Sequence, residues 1–151
     1  DHRGYPILYL YRHALELYLK AITYCTAEVL ARESSPAYRV PARLWREHAM
    51  TQVLRMCNDA VCLLEPRASW GVRASLEHAM PVVEELDRID RGSYAFRYPV
   101  TTVGTPSFAC TLVLNVLVFA AELDAVLDDL RSAYQSMATR LEKGCESSRA
   151  C

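Results

Sequence analysis

Glycine and proline are scarce in this chain, five and seven in 151 residues. That disfavours a loop-rich architecture and leaves long helices with short connections as the economical solution. No P-loop or GxGxxG occurs, and no Ser–His–Asp set or paired-carboxylate pattern takes its place. Lysine is almost missing: of 17 basic residues only Lys20 and Lys143 are not arginine. Genome composition produces such a bias as readily as function does. The net charge of −1 excludes a generally basic nucleic-acid binder but leaves room for a local basic patch. Six cysteines are present without any CxxC, the closest pairs being Cys57/Cys62 and Cys145/Cys151. With no tight ligand pair near a histidine, we expect no metal, no cofactor and reduced thiols in a cytoplasmic setting.

A long uninterrupted apolar run is also lacking. The most apolar stretch, 108–121, contains Asn115 and is bounded by Pro106 and Glu122. It falls short of the roughly 20 residues that span a bilayer, so a core helix and no membrane are expected. No signal peptide is visible. The chain opens without Met and close to a helix, from which an upstream segment is expected to be missing.

What is present suits one folded domain. The hydrophobic fraction is 52% and the charged fraction 23%, values of a globular core rather than a disordered chain. Apolar residues Ile7, Leu8, Tyr11, Leu15, Tyr18, Ile22, Cys25 and Val29 recur at helical spacing and predict a first helix over 5–32. A second is predicted over 42–65, with Leu44, Trp45, Met50, Val53, Leu54, Cys57, Val61 and Leu64 inward. A third covers 70–88 with a restart at Pro81, and a last one runs over 107–142. The expectation is an all-α, up-and-down bundle of four main helices plus short insertions, with residues 1–142 as the domain and 143–151 as a frayed tail.

The first helix poses the chemical question. Arg12, Glu16 and Lys20 are four apart, so they share one face, with His13 beside it. Leu10, Leu17 and Ala21 are apolar on a further side. The stripe is therefore narrow and bordered by hydrophobic residues, so its partial burial is expected, either in the bundle or under a dimer partner. Two readings are open: an ion-pair ladder with His13 at its edge, or an anion or RNA-phosphate site with Arg as ligand and His as proton carrier.

Three segments carry a family likeness. RHALELYLKA resembles the first-helix motif of HEPN-domain proteins, REHAMTQVL is similar to the segment opening their next helix, and IDRGSYAFRYPV to an Asp…Ser…Phe-Arg-Tyr-Pro loop of one branch. Together they span about residues 5–104. The resemblance implies a small helical bundle that often forms homodimers and handles RNA or nucleotides. It further implies a toxin or defence setting and, in many members, metal-independent endoribonuclease activity. In those members an Arg, four to six residues, then His form the site. The His assists the ribose 2′-hydroxyl and the Arg stabilises the phosphate, leaving a 2′,3′-cyclic end. Two copies of the motif usually meet across a dimer interface.

Two segments fit that spacing, Arg43 with His48 in RLWREH and Arg73 with His78 in RASLEH. This composition yields about one such match by chance, so the count decides nothing. Context favours His48, which has Arg39, Arg43, Arg46 and Arg55 nearby, with Tyr38 and Trp45 able to stack on bases. The alternative is a solvated basic face with Trp45 as a core anchor. On one ideal helix Arg43 and His48 would lie about 140° apart, which works against convergence. Arg73 and His78 share that difficulty in a more acidic neighbourhood.

The candidate catalytic residues are thus His48, Arg43 and His13. The candidate RNA or anion ligands are Arg12, Glu16, Lys20, Arg39, Arg46, Trp45, Arg97 and Tyr98. In the loop, Pro99 favours an extended Tyr98. Arg97 is then expected to point back toward the helices, where one hypothesis pairs it with Glu16, or outward as an anion ligand. Besides RNA or a nucleotide, a second copy and a partner protein are the partners considered. The competing function is a noncatalytic dimerisation or protein-interaction module with a structural polar clamp.

Overall fold

The computed structural model describes residues 4–64, 66–90, 92–98, 100–107 and 115–149. Pro99, Cys110, Cys151 and the 108–114 part of the apolar run lie outside them. The described residues form an all-α bundle of four helices: α1 (Gly4–Glu33), α2 (Met50–Cys62), α3 (Pro66–Asp90) and α4 (Val116–Arg149). α2 and α4 both pack on α1, and α3 closes the ring by packing on the same two helices. Leu15, Leu19 and Ile22 of α1 meet Val53 and Cys57 of α2, Leu76 and Leu86 of α3, and Leu123 and Leu130 of α4 in one buried core. Cys57 behaves there as a small hydrophobe: burial pushes its thiol up to about 12 despite a hydrogen bond with Thr23. Among the described residues no helix is long and apolar enough to cross a membrane.

The helix predicted over 42–65 is two pieces. A 3-10 turn at Ala42–Trp45 is followed by a linker, and α2 begins only at Met50. Two carboxylates cause the break. Glu47 folds back to accept the amides of His48 and Ala49 at 3.1 and 2.9 Å. Asp87 of α3 accepts the amides of Met50 and Thr51 at 3.0 and 3.1 Å and the Thr51 hydroxyl at 2.6 Å. The α2 start is therefore capped from another helix, because its own N-cap residue Ala49 has no side chain to do it. Asp87→Ala is expected to lower stability by about 2 kcal/mol, since a cap is lost and amides at a buried helix start go unsatisfied. Urea unfolding followed by circular dichroism reads this directly.

Three further expectations change. Leu44, not Trp45, takes the core position of the 3-10 turn, and Trp45 is 57% exposed. α3 runs through Pro81 without restarting, and Pro81 faces solvent. α4 continues to Arg149, through the segment expected to fray.

Candidate functional site

The polar stripe of α1 turns inward. Arg12 is completely buried, with Nε donating to the Asp90 carbonyl at 3.1 Å, Nη1 to Glu16 at 3.2 Å and Nη2 to the His48 carbonyl at 2.6 Å. The carboxylates of Asp87 and Asp90 stand 3.8 and 4.0 Å from the same guanidinium. One side chain thus ties α1 to the end of α3 and to the linker before α2. Only a planar fork of donors reaches so many acceptors at once.

Glu16 is the second hub. Its Oε1 accepts from Lys20 Nζ at 2.9 Å and lies 3.0 Å from His48 Nδ1. Burial pushes the Glu16 carboxyl up, but hydrogen bonds from Lys20 and His48 outweigh it and hold the group below its ordinary value of 4.5. A carboxylate held low contributes stability that is present above the unfolded value and lost as pH falls through the folded one. Wild type should therefore lose stability below about pH 4.5, and Glu16→Gln, weaker at neutral pH, should converge on it in acid. Denaturant midpoints between pH 7 and 3 for both chains check the sign.

His48 sits where this buried network reaches the surface. Its backbone carbonyl is used by Arg12 and its Nδ1 by Glu16, while its side chain remains 52% exposed. Nδ1 is the nitrogen placed to donate to an ionised Glu16, which leaves Nε2 as the nitrogen for a ligand. Arg43 and Arg46 are exposed on the same stretch, and Trp45 tilts against Tyr24 with ring centroids 6.2 Å apart. Neither Arg43 nor His48 lies on an α-helix, so the 140° separation of a shared helix does not apply here.

Arg12, Glu16 and Lys20 are brought together inside the bundle, engaged with one another rather than presented to a ligand. Arg39 bonds the carbonyls of Pro36 and Tyr38 in its own loop. His13 is not among the hydrogen-bond partners of Glu16 and stacks instead on Tyr9, with centroids 5.7 Å apart. The expected Arg97–Glu16 pair does not form. Arg97 Nε donates to Ser93 O at 2.7 Å and its guanidinium lies 5.3 Å from the Tyr9 ring centroid, while Glu16 is taken by Arg12, Lys20 and His48. Tyr98 is exposed, tilted against Tyr94 at 4.9 Å. His78 bonds Asp129 at 2.7 Å, and Arg73 turns instead to Ser69 and the Cys62 carbonyl.

Asp87 was not foreseen, and Asp90 entered only as the Asp of the loop likeness, without a role. Asp90 also accepts the amides of Tyr94, Ala95 and Phe96, which shapes the loop and holds Ser93 at a φ of 57°. A signal was present: two aspartates at the C-terminal end of a helix oppose its dipole, so they need partners from elsewhere. Among the described residues no group of three His, Cys, Asp or Glu is arranged to hold a metal ion. No family model, curated protein or solved structure matches this chain.

Proposed function

We propose that this domain binds RNA over the exposed 39–48 stretch and cleaves it without a metal, His48 taking the proton of a ribose 2′-hydroxyl. The observation that carries this reading is the exposed His48 imidazole backed by the buried Glu16 carboxylate. A carboxylate behind one ring nitrogen fixes the tautomer and steadies the imidazolium that forms when the other nitrogen accepts a proton. Nε2 takes the 2′-hydroxyl proton, the 2′-oxygen bonds to phosphorus, and the bond to the 5′-oxygen breaks. Water returns a proton to that leaving oxygen, and a 2′,3′-cyclic phosphate remains. Arg43 and Arg46 supply charge for the phosphates. The HEPN resemblance supports the same chemistry and adds to the reading a pair of copies and a toxin or defence role; the cysteine pattern adds a cytoplasmic setting.

The test is cleavage of a labelled mixed-sequence RNA in EDTA. Cutting to cyclic-phosphate ends that disappears in His48→Ala supports the reading. No cutting by the folded chain, or equal cutting by the variant, refutes it.

A second reading, a noncatalytic interaction module, is favoured by the apolar outer face of α1, where Leu10 is 63% and Leu17 52% exposed. In that case the Arg12–Glu16–Lys20 cluster is a clamp alone, and RNA binding and cutting are both absent.

A further inference from the structure

α1 carries a second apolar face besides the one in the core. Ile7, Leu10, Ala14, Leu17, Ala21 and Tyr24 recur in alternating steps of three and four residues, the spacing of a coiled-coil seam. Ile7, Leu10, Leu17 and Tyr24 are all exposed, and Ala14 and Ala21 are half-exposed between them. None of these positions is charged, whereas an outward helix face is ordinarily polar. Trp45, in ring contact with Tyr24, extends the patch at one end.

We propose that this face seats the same face of a second copy of the chain, antiparallel about a two-fold axis that crosses α1 between positions 15 and 16. This deepens the two-copy part of the reading above and does not depend on RNA cleavage.

Self-complementarity is the first argument. That register sets Leu10 opposite the partner's Ala21 and Leu17 opposite the partner's Ala14, so a large side chain meets a small one at each of these pairs. Ile7 then faces the partner's Tyr24 at both ends. An isologous contact requires this kind of match of a surface to itself. Area is the second. The exposed parts of Ile7, Leu10, Leu17, Tyr24 and Trp45 offer roughly 600 Å² per copy, at the top of what a monomer leaves in one apolar patch. Two copies would then bury roughly 1,200 Å², where specific interfaces begin. Charge is the third: the seam has none, and a net charge of −1 per chain adds little repulsion between copies.

Sedimentation equilibrium of the whole chain over roughly 1–100 μM tests the proposal, and wild type should sediment as two copies. Leu17→Glu puts a carboxylate opposite the partner's Ala14 in a dry seam and should weaken the pair by about 100-fold. Adding Ala14→Lys places opposite charges across the seam and should recover about tenfold or more of that loss. Circular dichroism checks that the variants stay helical, and Leu10→Glu repeats the test should Leu17→Glu unfold. A monomeric wild type overturns the proposal. So does a Leu17→Glu dimer as tight as wild type, or a double variant no tighter than the single one. A wild-type dimer that leaves RNA uncut keeps this interface and removes the cleavage reading. Cutting by a chain that stays monomeric does the reverse.

Discussion

Arg12→Ala is expected to cost the fold about 3–5 kcal/mol, the range for removing one member of a buried ion pair. Total stabilities of domains this size are about 5–15 kcal/mol, so the variant should be close to unfolded at 37 °C. Alanine leaves Glu16, Asp87 and Asp90 without their shared cation, and the His48 and Asp90 carbonyls without their donor. Arg12→Lys keeps the charge but not the fork, and should recover only part of the loss. Urea unfolding of wild type and both variants reads the effect. A difference below about 1 kcal/mol for Arg12→Ala would mean that the cluster does not hold the helices together.

His48→Ala should reduce RNA cleavage by about 100- to 10,000-fold, the usual contribution of a positioned general base. Its fold should persist, because the bond from Arg12 goes to the His48 carbonyl and survives the change. Arg43→Ala, which loses phosphate charge but no proton acceptor, should weaken binding and flatten its salt dependence. Single-turnover cleavage of one labelled RNA, with binding measured separately, distinguishes the two losses. If His13→Ala rather than His48→Ala abolishes cutting, the Glu16-backed imidazole is not the base. His48, not His13, is the imidazole bonded to Glu16, which argues for the outcome stated.

Several elements were legible from periodicity. α1 was placed to within a residue of its ends, since thirty residues of apolar spacing without an internal break leave little choice. The Arg12–Glu16–Lys20 ladder was legible from four-residue spacing, which a helix turns into neighbours. The start of α2 was not legible, because it is set by Asp87, a residue 37 positions away. Arg97 was assigned to Glu16 by charge alone. Competition decided otherwise: Arg12 and Lys20 share a helix with Glu16 at four-residue spacing, and His48 reaches it from the linker.

By itself the sequence determined an all-α chain, the lengths of its main apolar stripes and the alignment of its charges along α1, because these depend on neighbours within one or two turns. Only the tertiary structure decided what covers the charged face, that Asp87 and Asp90 complete it, that His48 is the member left at the surface, and that Leu10 and Leu17 face outward. Each of these depends on which helix covers which face, and a repeat distance along one helix carries no record of what packs against it.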